Sequence, residues 1–163
     1  MRALKYRHAV SLANLFATKM AEEISHSGWL LDVVCAVPLH RNRHFQRGYN
    51  QSTLIAKPLA KKLGKPYRPL LKRVRPTEPQ TFLTQESRFT NVQSAFWAVA
   101  AHDLTVLLVD DVITTGATFA ACQRALKQAG ARFVYSAVVA RTVVDDISPK
   151  HRTYNSELTR EDP

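Results

Sequence analysis

The stretch Val106-Leu107-Leu108-Val109-Asp110-Asp111-Val112-Ile113-Thr114-Thr115-Gly116-Ala117-Thr118 restricts the fold of this chain more than any other. It opens on an apolar run too short and too β-branched for a good helix, the pattern of a strand buried on both faces of a parallel sheet. Asp110 and Asp111 end that run. A loop of small hydroxylated residues with one glycine follows, and a helical pattern starts near Ala117. Thr114, Thr115 and Thr118 offer hydroxyl donors. Gly116 lets the backbone turn so that successive N–H groups face one anion. The helix aims its free N–H groups and positive dipole end at the same point. Asp110 and Asp111 repel a bare phosphate but suit ribose hydroxyls, or a Mg²⁺ shared with the ligand. The predicted ligand therefore carries a phosphate at one end and a hydroxylated sugar beside it. The stretch has neither the G-x-x-x-x-G-K-[ST] nor the G-x-G-x-x-G phosphate motif. A solvated turn and a capped helix with nothing bound would explain the acids alone, but explains them less well with Thr-Thr-Gly-Ala-Thr attached.

In chain order, apolar residues at helical spacing predict an amphipathic helix from Tyr6 to Ser25, with Val10, Ala13, Phe16 or Ala17, Met20 and Ile24 inward and Ser27-Gly28 at its end. Asp32 to Val37 reads as the first strand, stopped by Pro38. The basic, amide-rich loop from Leu39 to Gln51 follows it, at the strand end where open α/β sheets bind ligands. Its arginines suit a pyrophosphate through paired hydrogen bonds. A helix is expected from Gln51 to Leu63, with Leu54, Ile55, Leu59 and Leu63 inward. Pro58 inside it costs ~3 kcal/mol or more and predicts a kink or two shorter segments. Gly64 suits the position just past the helix end. Leu70 to Val74 reads as a short strand.

From Arg75 to Asn91 no period is visible, and a polar segment of this length suits a lid. Phe96 to Ala100 is expected as a strand that turns at His102-Asp103 into the central one. After the hydroxyl-rich loop a helix continues to Gly130, and Phe133 to Ala140 is the last strand. Residues 1–145 are read as one domain and 146–163 as a polar, flexible tail. No internal repeat is visible.

The central stretch resembles the 5-phosphoribosyl 1-pyrophosphate (PRPP) loop of type I phosphoribosyltransferases. Arg47-Gly48-Tyr49-Asn50-Gln51 narrows the resemblance to the ComF family, the competence-associated branch. The fold so implied is α/β, a mostly parallel twisted sheet flanked by helices. The resemblance implies that Asp110 and Asp111 hold the ribose 2- and 3-hydroxyls, with a shared Mg²⁺, and that Thr114, Thr115, Gly116, Ala117 and Thr118 wrap the 5-phosphate. It also implies that the loop carrying Leu39, His40, Arg41, Arg43 and Arg47 contacts pyrophosphate, with Asn50-Gln51 fixing it to the following helix. Locally, Asn50 also reads as that helix's cap. The segment with Gln80, Arg88, Asn91 and Phe96 matches the family's mobile loop, whose closure excludes water. Many ComF-like proteins open with a four-cysteine zinc module, which is absent from this sequence.

The charge balance, 23 Lys+Arg against 13 Asp+Glu, favours phosphorylated or polyanionic ligands, and the excess concentrates between Arg41 and Arg75. Cys35 and Cys122 read as buried free thiols in a reducing cytoplasm. No apolar run approaches the ~20 residues of a membrane span, and the N-terminus lacks the apolar core of a secretion signal. The expected protein is cytoplasmic. As an enzyme it would transfer phosphoribosyl from Mg²⁺·PRPP to a nitrogen acceptor, a nucleobase being one candidate, and release pyrophosphate. Asp110, Asp111, Arg73 and Gln80 are the expected catalytic residues. The alternative is a non-catalytic module that senses PRPP or binds single-stranded DNA or DNA-uptake proteins in natural transformation, where aromatics in a basic groove would suit a strand. A homodimer is left open.

Overall fold

The computed structural model describes residues 2–39, 49–74 and 95–142, with side chains from residue 9 onward. Helix α1 (Arg2–His26) leads into strand β1 (Val33–Ala36), helix α2 (Gln51–Lys62) and the short strands β2 (Leu71–Arg73) and β3 (Phe96–Ala98). Strand β4 (Thr105–Ile113), helix α3 (Ala117–Gln128) and strand β5 (Phe133–Arg141) complete the order. The described strands form a three-stranded sheet in the order β1-β4-β5 and a separate β2-β3 pair. Both β1 and β5 run parallel to β4, whereas β2 and β3 are antiparallel to each other. On the free side of β1, Val34 exchanges backbone hydrogen bonds with Pro66 and Arg68, each 3.0 Å long. The parallel sheet is the one expected from the sequence. The antiparallel pair is a second small layer whose strands flank residues 75–94.

Alternation along the buried strands sorts the core onto two faces. Val34 and Ala36 of β1 with Leu107 and Val109 of β4 meet Ala17 of α1 and Ile55 and Leu59 of α2. Val33 and Cys35 with Val106 and Leu108 meet Phe119, Cys122 and Leu126 of α3, together with Leu71, Phe96 and Ala98 of β2 and β3. Val106 to Val109 are wholly buried, as the apolar run predicts. Both cysteines are buried free thiols, and burial pushes the Cys35 thiol up to about 11.

The inward face of α1 is made of Ala13, Ala17, Ala21 and Ile24, while Val10, Phe16 and Met20 are only half-buried. Alanines on this face let α2 lie close, so the larger residues move to the flank. Helix α2 runs unbroken through Pro58, which sets aside the alternative of two segments. Loss of one backbone hydrogen bond there is offset by burial of Ile55, Ala56, Leu59 and Ala60 on the same helix. Leu63 serves as its C-cap.

Helix α3 ends at a turn that grips the β3–β4 connection. Ala101 N–H donates to Ala129 O at 2.8 Å and Asp103 N–H to Gly130 O at 3.0 Å. Gly130 has φ 93, and a Cβ added there would lie 2.5 Å from His102 Nδ1 and 3.2 Å from His102 Cα. The side chain can swing away, but the backbone atom cannot. Gly130→Ala is therefore expected to cost about 2 kcal/mol, a fall in melting temperature of about 4–8 °C. A thermal scan showing no change would mean that His102 does not close on this turn.

Candidate functional site

Adjacent strands β1 and β4 send their following helices to opposite faces of the sheet, α2 to one and α3 to the other. The crevice between their carboxyl ends is a topological switch point, where open α/β sheets bind ligands. The pairing of β1 with β4 stops at Ala36 and Val109, and Val37 N–H closes it with a 2.9 Å bond to Val109 O. Beyond that point β4 continues, held by β5 through Asp110 with Val138, Val112 with Ala140 and Ile113 with Arg141. The acid pair consequently lies inside a strand rather than after it, which corrects the expectation that the acids end the strand. The physical reason is the length of β5, whose pairing carries β4 to Ile113.

Asp110 is half-buried at this ledge. Its Oδ1 accepts a 2.6 Å hydrogen bond from Ser52 Oγ and a 3.0 Å bond from Asp111 N–H. Burial pushes its carboxyl up to about 6, and the nearby Asp111 carboxylate adds to the rise. The Ser52 hydroxyl and the Asp111 amide oppose it. Asp111 Oδ1 accepts from Val112 N–H at 2.9 Å.

Beyond Ile113, Thr114 and Thr115 are exposed and Thr118 is half-buried. Gly116 takes φ 76 as N-cap of α3 and offers no side-chain cap. A Cβ there would have room, its nearest neighbour being Ile113 Cδ1 at 3.6 Å, so the left-handed backbone is what calls for glycine. Ala117 N–H reaches Thr115 Oγ1 at 3.5 Å, a long contact. Ala117 itself is buried, so its contribution to a ligand is its amide. The first turn of α3 contains no acid, which leaves its amides and positive dipole end open to an anion.

On the other wall, Asn50 caps α2 as expected and also reaches the end of β1. Its Oδ1 accepts from Ser52 N–H at 3.1 Å, capping α2, and its Nδ2 donates to Val37 O at 3.0 Å. The amide thus ties the start of α2 to the end of β1. Leu39 is half-buried at the exit from β1. His40, Arg41, Arg43 and Arg47 lie outside the described residues, as do His44, Gln80, Arg88, Asn91 and the tail from 146 to 163. Arg73 sits at the end of β2 with its guanidinium 5.3 Å from the centre of the Phe96 ring. Burial pushes the Cys122 thiol up, the nearby Asp110 carboxylate adds to the rise and Arg73 opposes it.

Ser52 was missed by sequence reading. The signal was present: Ser52, Ile55, Ala56, Leu59 and Ala60 share one helical face, and all are buried. A serine on an apolar stripe needs a partner, and here the partner is Asp110.

The acid pair fits a hard divalent cation. It offers carboxylate oxygens from two half-buried residues. Among the described residues no three His, Cys, Asp or Glu side chains converge. A cation held here would therefore share its remaining positions with ligand oxygens and water, as Mg²⁺ does.

A family model described as phosphoribosyl transferase domain matches residues 50–157. The DNA utilization protein YhgH of Salmonella typhimurium is 34% identical over 147 residues, covering 86% of this chain and 65% of that protein. Competence protein F of Haemophilus influenzae is 36% identical over 111 residues, covering 65% of this chain and 48% of that protein. The chain thus spans less than two thirds of the length of these relatives. Among solved structures, the glutamine phosphoribosylpyrophosphate (PRPP) amidotransferase from B. subtilis, complexed with ADP and GMP, superposes with a TM-score of 0.57 at 27% identity. That match covers 80% of this chain and 26% of the amidotransferase chain.

Proposed function

Because the chain belongs to the phosphoribosyltransferase domain family, we propose that it binds Mg²⁺·PRPP at the ends of β1 and β4 and transfers the phosphoribosyl group to a nitrogen acceptor, releasing pyrophosphate. The observation that carries this reading is the hydrogen-bonded, half-buried Asp110 beside the Thr114–Thr118 turn at the switch point. Asp110 and Asp111 accept from the ribose hydroxyls and would hold the Mg²⁺, which supplies charge neutralisation for the departing pyrophosphate. Thr114, Thr115 and Thr118 and the amides of Gly116 and Ala117 hold the 5-phosphate. Leu39, His40, Arg41, Arg43 and Arg47 would contact the pyrophosphate, and Arg73 and Gln80 would add charge and hydrogen bonding. The transition state is a sugar cation parting from an anion. These residues act by placing the partners and stabilising the charge that leaves. The unit that does this spans residues 1–145, in the cytoplasm, and serves DNA uptake or nucleotide handling.

Calorimetric titration of PRPP, with and without Mg²⁺, tests the reading. Saturable binding that strengthens with Mg²⁺ is expected, and no heat from folded protein would overturn it. The names of the relatives point to DNA use and competence rather than to a transfer reaction, which favours a second reading, a module that binds PRPP as a signal or engages single-stranded DNA. Pyrophosphate release in the presence of candidate acceptors separates the two.

A further inference from the structure

Among the described residues β5 is the outer strand of the three-stranded sheet, on the side away from β1. None of its nine residues is buried, although β4 beside it is wholly buried from Val106 to Val109. Charged side chains and proline guard free strand edges against pairing, and before Arg141 this strand has neither. Its backbone groups are aimed outward at every second residue. Arg132 N–H donates to Leu104 O, just ahead of β4, and Thr142 N–H donates to Ile113 O at its end, each at 2.9 Å. Direction alternates along a strand, so the even-numbered residues bond toward β4. Phe133, Tyr135, Ala137 and Val139 turn their N–H and C=O groups the other way. Beside this edge a groove of about 370 Å³ separates β5 from α1. Phe16 and Met20 of α1 and Ala137 and Val139 of β5 wall it, and Lys19 and Glu23 also line it.

Symmetry and charge select the occupant. An antiparallel copy of β5 centred on Ala137 sets Ala137 opposite its counterpart, Tyr135 opposite Val139 and Phe133 opposite Arg141. All of these residues turn their backbone groups outward, so each pair exchanges N–H···O bonds. The apolar pairs and the cation beside an aromatic ring are favourable neighbours. A two-fold axis there also brings α1 against its counterpart, running the opposite way, and sets Lys19 opposite Glu23 on both sides. Lys19 and Glu23 border the same groove as Ala137, as a single axis requires. From Leu12 to Ile24 the charges of α1 are Lys19, Glu22 and Glu23 alone, so this face stands outside the basic excess between Arg41 and Arg75. We propose that β5 and α1 form the interface with a second copy of this chain, β5 pairing with itself to make one continuous sheet. The strands of the two copies then run in opposite directions, and their acid pairs open at opposite ends of the dimer. The pairing requires no ligand in either crevice.

Sedimentation equilibrium of the full chain, with residue-resolved amide exchange, tests this. A reversible dimer is expected. On dilution to the monomer the amides of Tyr135, Ala137 and Val139 should exchange at least tenfold faster, while those of Ser136 and Val138, bonded toward β4, stay within twofold. Glu23→Lys, at an exposed site, is expected to weaken the dimer about tenfold, and adding Lys19→Glu to restore it to within threefold of the parent. Ala137→Pro removes an outward N–H and should abolish the dimer; if that variant does not fold, the exchanged charges decide. A chain that is monomeric at every concentration overturns the proposal. Slow exchange at Ala137 in that monomer would mean that the chain's own residues beyond Thr142 cover the edge, and fast exchange that the edge is open to a different protein. A dimer in which Ala137 exchanges fast, or a double variant no tighter than Glu23→Lys, also overturns it.

Discussion

Asp110→Asn is expected to weaken Mg²⁺-dependent PRPP binding about 100-fold or more and, at neutral pH, to raise the melting temperature of the free protein. The first effect follows from removing an ionised acceptor for ribose hydroxyl and cation; charge-assisted hydrogen bonds contribute roughly 1.5–3 kcal/mol each. The second follows from the cost of keeping a carboxylate half-buried. In the fold the Asp110 carboxyl keeps its proton up to about 6, against 3.8 for the ordinary group. Between those values the folded state binds more protons than the unfolded chain. Stability therefore falls as pH rises from about 4 to about 6 and is level above. Asparagine keeps an oxygen for Ser52 and Asp111 N–H but carries no charge to desolvate. Its advantage should be absent below about pH 4, grow through this window and reach about 1–2 kcal/mol above it, allowing for partial exposure. Thermal scans from pH 4 to 8 read this directly. A melting temperature lowered by the substitution at pH 7.5 would mean that Asp110 stabilises the fold rather than the bound ligand.

Leu107→Ala is the largest stability loss expected away from the ligand. Leu107 is wholly buried, packs in the cluster that joins α1 and α2 to the sheet, and pairs with Val34 on one side and Tyr135 on the other. Neighbours fixed on both strands cannot collapse into the space, so the substitution should cost about 3 kcal/mol and lower the melting temperature by about 6–12 °C. The backbone ladder needs no side chain, so the acids stay in place. PRPP affinity well below the melting point should remain within about threefold of the parent protein. A large affinity loss at 10 °C would show that packing beneath β4, and not only its ladder to β5, sets the position of Asp110.

Local chemistry was legible in the sequence, whereas features that depend on a distant partner were not. Val106 to Val109 declared a doubly buried strand because nothing polar interrupts them, and Gly116 and Asn50 declared their turns because few other residues suit those positions. The extent of β4 was not legible, since it depends on β5 reaching Arg141. Ser52 was overlooked because its meaning lies 58 residues away in Asp110. On α1, helical spacing identified the buried side, but Phe16 and Met20 outranked Ala21 in hydrophobicity, and only the close approach of α2 selects the alanine. The antiparallel pairing of β2 with β3 had no local signature, because each strand is three residues long.

The helices leaving β1 and β4 diverge to opposite faces, so the described residues form two packed layers with the sheet between them. At the rim, Ser52 reaches from one layer to an acid at the edge of the other. A ligand that bridged the start of α3 and the start of α2 would fasten these layers together. Occupancy would then work as a clasp, making the halves open and close as one cooperative body.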